Sequence, residues 1–528
     1  MPLIESLDPR SSSPRNSRNL KKVAIIGSGS AGIGALWALN RTPHDVYIYE
    51  AANRLGGHTN TVEWKCGKTK TLVDTGFIVL NSATYPNFRA FLKYLNIPTE
   101  PTEMTFSVSR DEGIFEWAGS SLSAVFAQRR NIFSLRVWRM IFDIIRFNHF
   151  ALDLLHHEDQ CQIPLVNGEN IRGKQAIYAD SQMTIGEYLK REGYSDAFRD
   201  DYLIPMTAAV WSTSPDKCTL EFPAVTLVRF MWNHHLLSTV TSRPQWLTIK
   251  QGAKSYIEAV MKGFPPNHVF LGEPVISVTN DMLDKVRLHL RNGNSEVYDH
   301  VIIATHGDQA LELVHDGSTA EERNILSGFQ TSHNSAILHS DISLMPKRRK
   351  AWTSWNYITK SSPTSSNIDQ VCLTYNMNIL QHIPTSVFGD VLVTLNPLQL
   401  PHPDSIQGTY SYSHPLYNPR AIRSQKLLSK IQNRRGISYA GAWTKYGFHE
   451  DGLSSGLRVA MDHLGAKLPF EYTDSTYSRG IKPTLGLTDL LVRALISITH
   501  FYITIIEIVL GLHHVRKVNN RHRDLKIT

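Results

Sequence analysis

The clearest chemical signal near the start of the chain is a glycine-rich turn. Residues 27–32 read GSGSAG, the spacing GxGxxG. Such a turn is typical of a site for a dinucleotide pyrophosphate: Gly27 permits the tight turn, Gly29 lets the phosphates approach, and Gly32 lets a helix pack on a strand. Free N–H groups at the helix start, at Ser30 and Ala31, then face the phosphates.

The surrounding elements decide whether this turn is a nucleotide site or a glycine turn of some other fold. Residues 22–26 (KVAII) predict a buried strand, 33–39 a helix rich in Ala and Leu, and 45–49 a second strand that ends at Glu50. This order is the βαβ unit of a Rossmann-type domain, in which the Glu50 carboxylate can accept hydrogen bonds from ribose hydroxyls. We therefore predict an α/β fold, α+β overall.

Two stretches after Glu50 go beyond what an NAD-binding domain needs. Residues 51–59 (AANRLGGHT) and 73–78 (VDTGFI) resemble the FAD fingerprint of the flavin-containing amine oxidase superfamily and the loop that follows it near the flavin. The resemblance implies bound FAD, held without a covalent bond. It assigns these residues to the cofactor: Arg54, Gly56, Gly57, His58, Thr59, Gly76 and Phe77.

A second glycine pattern occurs close to residue 440. Residues 437–440 predict a strand, followed by Gly441 and Trp443, and then by Gly452, Leu453 and Gly456 at the start of a helix. In the superfamily the equivalent helix points its N-terminus at the flavin, where its partial positive charge stabilises negative charge. An ordinary glycine-capped turn is the alternative. The stretch 268–275 resembles the strand near the adenine, with Val275 at its end, and 300–305 resembles the strand that returns to the FAD sheet.

The resemblance covers residues 21–466 and is closest to an amine-oxidase-like branch associated with cyclopropane fatty acid synthases, which implies a lipid or acyl-bearing substrate. The chain also departs from the amine oxidases. Trp443 stands where they have an acidic residue, no cysteine follows Cys372 for a covalent flavin link, and the stretch 332–336 lacks their lysine. These departures weaken simple amine oxidation and leave hydride removal or desaturation open.

Catalytic residues are not fixed by the sequence. His58, Tyr446 and His449 are candidates because the motifs place them near the flavin, and histidine exchanges protons near neutral pH. For His58 and for His449, a supporting hydrogen-bonding role is the alternative. Adjacent His234 and His235 have no acidic partner at ligand spacing, so we predict no metal and a helix-surface or pocket-lining role.

Composition sets the broad class. The 528 residues carry a net charge of +8, partly from the two ends, with no zinc-finger or RNA-binding motif, so nucleic acid is not a predicted partner. Four widely spaced cysteines fit a reducing compartment. The predicted layout is a disordered leader 1–20, an FAD domain from 21–110, 240–320 and 430–466, a substrate domain from 111–239 and 321–429, and a tail 467–528.

The tail contains a hydrophobic helix, predicted over 490–512. Its polar residues Arg493, Ser497, His500, Thr504 and Glu507 are spaced 4, 3, 4 and 3, which places them in one stripe. The helix is long enough to span a membrane, but buried charges are costly there. Basic residues after position 515 favour a helix lying on the cytoplasmic membrane surface. A helix packed on the protein or in a dimer contact is the alternative.

The favoured function is an FAD-dependent oxidoreductase, of oxidase or desaturase type, acting on an apolar and lipid-like small molecule. An amine oxidase or an oxidase of specialised metabolism is the first alternative. A non-catalytic flavin-binding scaffold at a membrane is the second, because glycine motifs alone do not establish catalysis.

Overall fold

The computed structural model describes residues 20–156, 183–211, 220–237, 244–281, 285–361, 368–480 and 483–509. The predicted leader up to residue 19, Cys161, Cys218 and the basic C-terminal end lie outside these described residues.

The described strands belong to five sheets. In chain order they are β1 (Lys22–Ile26), β2 (Asp45–Glu50), β3 (Thr61–Cys66), β4 (Thr69–Asp74), β5 (Val79–Asn81), β6 (Thr99–Thr102), β7 (Phe106–Arg110), β8 (Phe115–Ala118), β9 (Trp246–Ile249), β10 (Val269–Leu271), β11 (Val275–Asn280), β12 (Val286–Leu290), β13 (Ser295–Tyr298), β14 (His300–Ile303), β15 (Thr331–His339), β16 (Trp355–Ser361), β17 (Ile368–Asn376), β18 (Leu392–Leu395), β19 (Ile406–Pro415) and β20 (Ile437–Tyr439).

Helices of at least seven residues connect and cover these sheets. They are α1 (Ser30–Leu39), α2 (Pro86–Tyr94), α3 (Leu135–Phe150), α4 (Ile185–Arg191), α5 (Ile204–Trp211), α6 (Ala224–Asn233), α7 (Lys254–Met261), α8 (Gly307–Val314), α9 (Ala320–Leu326), α10 (Pro419–Leu427), α11 (His449–Leu464) and α12 (Leu487–Val509).

The first sheet is the predicted nucleotide sheet. Its five parallel strands run in the order β10-β2-β1-β14-β20 and come from widely separated parts of the chain. Strand β1 is made of apolar residues after Lys22, and both of its faces are buried, as a parallel sheet between layers requires. The predicted Rossmann-type α/β fold is therefore confirmed.

Helices α1 and α11 cross closely on one face of this sheet. A Cβ atom at Gly456 would lie 2.0 Å from the carbonyl oxygen of Ala31, and one at Gly34 would lie 2.9 Å from that of Leu453. At Gly452, in the first turn of α11, a Cβ would lie 2.0 Å from Ser30 Oγ. Glycine at these positions lets the two helices bring their N-termini together.

The second large sheet has seven strands in the order β19-β15-β18-β17-β16-β7-β8. Its neighbours are antiparallel except for the parallel pair β16 and β7. Strand β7 falls within the segment 21–110 that the sequence assigns to the FAD domain, yet it pairs in this sheet. The helices between residues 135 and 233 pack beside it around an apolar core of their own.

The C-terminal helix α12 packs its polar stripe against α3. Arg139 forms an ion pair with Glu507 at 2.8 Å, and Arg146 Nη1 lies 2.9 Å from His500 Nε2. Arg493 pairs with Asp153 at 2.8 Å. Of the residues in α12, only Ile496 is buried, so its apolar faces point outward.

Candidate active site

A cavity of about 680 Å³ starts at the glycine-rich turn and reaches the edge of the seven-stranded sheet. Most of the residues predicted to hold the cofactor line it. They are Gly27, Gly29, Ser30, Ala31, Glu50, Gly57, His58, Gly76, Phe77, Val275, Gly441 and Trp443, and the candidate His449 lines it as well. The cavity lining does not include the predicted residues Gly32, Arg54, Gly56, Thr59, Gly452, Leu453 and Gly456, or the candidate Tyr446.

The glycine turn has the shape that a pyrophosphate site needs. Gly27 adopts φ +96°, and a Cβ there would lie 2.8 Å from the carbonyl oxygen of Ala304. A Cβ at Gly32 would lie 1.9 Å from the carbonyl oxygen of Gly27, whereas one at Gly29 would meet no protein atom within 4 Å. The space above Gly29 is thus open, at a helix N-terminus without a side-chain cap. The residues present fit a dinucleotide phosphate group.

The acidic residue at the end of β2 is already oriented by the turn. Glu50 Oε2 accepts hydrogen bonds from the backbone N–H of Ser28 at 2.9 Å and from Ser28 Oγ at 2.6 Å. A carboxylate has about four lone-pair positions, so Glu50 retains capacity for ribose hydroxyls. Ser28 Oγ lies 3.1 Å from Gly56 N, which joins the turn to the fingerprint loop.

Arg54 and Thr59 hold the fingerprint loop in place. Arg54 donates to the carbonyl oxygens of Gly57 at 2.8 Å and Thr59 at 3.2 Å. Thr59 Oγ1 lies 2.7 Å from Tyr256 Oη, which lies 2.7 Å from His449 Nε2. This buried chain connects the loop to the first residue of α11.

The helix α11 begins earlier than the sequence suggests. The sequence interpretation placed Gly452 and Leu453 at the start of this helix, which is wrong: His449 and Glu450 already lie in its first turn. The cause is Asp451, whose carboxylate accepts the backbone N–H of Phe448 at 3.0 Å and caps the helix. Gly452 is therefore the fourth helical residue, and its role is the close contact with α1.

Three half-buried histidines meet beside the fingerprint loop. The rings of His414 and His306 lie 5.1 and 5.9 Å from that of His58, and all three line the cavity. Burial lowers the pKa of each, that of His414 to about 4, so they are neutral near pH 7. His58 Nε2 is buried and has no hydrogen-bond partner within the described part of the chain.

A directed chain of hydrogen bonds fixes the tautomer of His414. The backbone N–H of Ser335 donates to Asn396 Oδ1 at 3.0 Å, and Asn396 Nδ2 donates to Asn334 Oδ1 at 2.7 Å. Asn334 Nδ2 then lies 2.7 Å from His414 Nδ1 and can only donate. His414 therefore carries its proton on Nε2. The stretch 332–336, where a lysine is missing, thus orients an imidazole instead.

The end of the cavity away from the glycine-rich turn is lined by aromatic and apolar side chains, and we call it the aromatic chamber. Its lining there consists of Tyr85, Met104, Phe230, Leu236, Trp246, Trp355, Tyr375 and Phe448, together with His234. The carboxylates among the described lining residues are Glu50, Glu273 and Glu312, which all belong to the nucleotide-sheet side. Tyr446 packs with its ring centroid 5.9 Å from that of Phe230.

The region of His234 and His235 shows no metal site. Across the residues that the structure describes, no group of three His, Cys, Asp or Glu side chains could hold a metal ion. His234 lines the cavity, whereas His235 does not.

Sequence reasoning missed His306, His414 and the asparagines behind them. Asn334 lies on β15, Asn396 directly follows β18, His414 lies on β19, and His306 lies in the loop after β14. The pairing of β15 with β18 and β19 brings the two asparagines to His414. No local sequence pattern marks that pairing.

Comparison with known proteins identifies the class. The family model described as flavin containing amine oxidoreductase matches residues 30–327, more than half of the chain, so the chain belongs to this family. The cofactor that fits the glycine turn, the open Gly29 position and the cavity is accordingly FAD.

Individual relatives and solved structures show which proteins this chain is similar to. A 15-cis-phytoene desaturase of Narcissus pseudonarcissus is 26% identical over 42% of this chain and 37% of that protein, and one of Arabidopsis thaliana is 24% identical over 59% and 48%. The chain therefore spans less than half the length of these relatives. Cyclohexylamine oxidase from Brevibacterium oxydans (TM-score 0.58) and a fatty acid isomerase from P. acnes (TM-score 0.54) are each 13% identical over 84% of this chain and 98% of theirs, which shows a shared fold.

Proposed function

We propose that this chain is an FAD-dependent oxidoreductase of oxidase or desaturase type, acting on an apolar, lipid-like or acyl-bearing molecule. The observation that carries the proposal is the single cavity with a dinucleotide cradle at one end and an aromatic chamber at the other. When bound, FAD supplies hydride acceptance. The nucleotide sheet with its helices would hold the cofactor, and the seven-stranded sheet with α3–α6 would enclose the substrate.

Several features favour an apolar substrate over a simple amine. Aromatic and aliphatic side chains dominate the chamber, and the described lining there offers no carboxylate to pair with an ammonium group. The relatives of this chain include 15-cis-phytoene desaturases, and the resemblance to a branch associated with cyclopropane fatty acid synthases points to acyl chains. An amine oxidase remains the alternative that the test below must exclude.

The chain's own residues have defined tasks in this proposal. Gly29 and the start of α1 bind the pyrophosphate, and Glu50 binds ribose hydroxyls. The N-terminus of α11 lies where negative charge on the cofactor is stabilised. His58, His306 and His414 supply neutral hydrogen-bonding groups, and the aromatic residues exclude water from the chamber.

The test is the visible spectrum of the purified chain, followed by flavin release on heating. Release of FAD supports the cofactor and its non-covalent attachment. Anaerobic bleaching of the flavin by a lipid extract, but not by short alkylamines, supports the substrate class. A colourless protein that takes up no FAD overturns the proposal, and bound FAD that no extract reduces favours the scaffold function.

We further propose that α12 places the enzyme on the cytoplasmic surface of a membrane. Within the described residues α12 is the one helix long and apolar enough to cross a bilayer. Its polar stripe is instead occupied by Arg139, Arg146 and Asp153, so crossing would break these contacts. Exposed apolar residues such as Leu495, Phe501 and Ile505 face away from the protein. The basic residues that follow in the sequence match anionic lipid.

Vesicle sedimentation tests this placement. The wild-type chain should pellet with phosphatidylserine-containing vesicles, and Phe501→Glu should reduce the bound fraction severalfold. Leu400→Glu is a matched control, because Leu400 is also exposed but lies in the loop before β19. Equal binding by both variants would contradict a role of α12.

A further inference from the structure

One imidazole in the aromatic chamber presents an unprotonated nitrogen. His234 directly follows α6 and is 8% exposed. Its Nδ1 lies 2.9 Å from the carbonyl oxygen of Phe230. A carbonyl oxygen can only accept, so Nδ1 must carry the proton and Nε2 must hold the free lone pair.

The surroundings keep this imidazole neutral. Burial lowers the pKa of His234 to about 4, and its ring packs 3.9 Å from that of Phe230 and 5.4 Å from that of Phe448. Both neighbours line the same cavity. Among the described residues Nε2 has no hydrogen-bond partner, so the single polar atom that His234 offers to a ligand is an acceptor.

We propose that His234 Nε2 accepts a hydrogen bond from the substrate, so that the preferred substrate is an apolar molecule bearing a hydroxyl group. This inference rests on the proposed function, because it assumes that the aromatic chamber takes the substrate. The neutral acceptor disfavours a carboxylate, which also only accepts, and gains nothing from a pure hydrocarbon. His234 thereby selects the substrate and fixes which end of it enters the chamber.

A matched pair of probes isolates this hydrogen bond. Octan-1-ol and 1-methoxyoctane share the same alkyl chain, but only the alcohol donates. By calorimetric titration of the flavin-loaded chain, the alcohol should bind about 3- to 10-fold more tightly, the usual net value of one hydrogen bond. His234→Phe should abolish this ratio while keeping affinity for the ether. His234→Gln should retain it, because the amide oxygen can accept.

His235→Phe is the control, since His235 does not line the cavity, and the ratio should persist. A wild-type ratio near one, or an unchanged ratio in His234→Phe, overturns the role of His234 while leaving the apolar chamber intact. Failure of the flavin-loaded chain to bind either probe overturns the apolar chamber itself, and therefore the proposed function.

Discussion

Replacing Gly29 with alanine should separate cofactor binding from folding. The backbone of Gly29 has φ −63° and ψ −176°, which alanine adopts freely, and the new Cβ would meet no protein atom within 4 Å. Alanine restricts the unfolded chain, so the free energy of unfolding without FAD should stay equal or rise by ~0.4–1 kcal/mol.

The same methyl group would occupy the space that the pyrophosphate needs. Displacing the phosphates removes at least one charge-assisted hydrogen bond from the start of α1, worth ~1.5–3 kcal/mol. FAD should therefore bind about 10- to 150-fold more weakly to Gly29→Ala. Quenching of flavin fluorescence during titration of the FAD-free chain measures this constant, and urea unfolding measures stability.

Gly456→Ala is the contrasting variant. Its Cβ would lie 2.0 Å from the carbonyl oxygen of Ala31, so α1 and α11 must move apart, at a cost of ~1–3 kcal/mol or more. This variant should lose stability even without FAD. The reasoning would be refuted if Gly29→Ala destabilised the FAD-free chain as much as Gly456→Ala, or bound FAD within twofold of wild type.

Two further changes test the buried polar groups. Tyr256→Phe removes the hydroxyl between Thr59 and His449. It should lower the free energy of unfolding by ~1–3 kcal/mol, because it leaves buried partners unpaired. Tyr94→Phe, at an exposed position, should change the free energy of unfolding little in the same urea titration. Burial lowers the pKa of His300 to about 3, below the ordinary 6.5 of the unfolded chain, so protonation favours unfolding as the pH falls through this range. Between pH 4 and 6, the free energy of unfolding should therefore rise with pH less steeply in His300→Asn than in the wild type, by up to ~1.4 kcal/mol per pH unit. His315→Asn, at an exposed site, is the control. Equal pH slopes for the two variants would contradict this.

The nucleotide-binding part of the site could be predicted from the sequence because its residues lie close together along the chain. Gly27, Gly29, Gly32 and Glu50 lie within one βαβ unit, and each has a steric or electrostatic reason that can be read from spacing. The predicted start of α11 was less accurate, because the cap by Asp451 competes with Gly452 as a start signal. A carboxylate two residues into a helix pattern outweighs glycine when it reaches a free N–H.

The substrate half could not be predicted in the same way. His306 and His414 are more than 100 residues apart in sequence and lie at different sheets, and only the tertiary fold brings them together beside His58. The missing lysine in 332–336 was visible, but its replacement by the Asn334–His414 pair was not. Period-two alternation says which face a residue occupies and not which strand lies next to it.

The contact between α3 and the C-terminal helix α12 explains the charged stripes of both helices. On α3, Arg139, Asp143 and Arg146 are spaced four and three residues apart. On α12, Arg493, His500 and Glu507 are spaced seven residues apart. Each stripe alone indicates only an amphipathic helix. Asp143 is nevertheless fully buried, and Arg139 joins it to Glu507. Because the two charged stripes satisfy each other, the apolar residues of α12 are forced outward, and a lipid surface is the environment that would stabilise them.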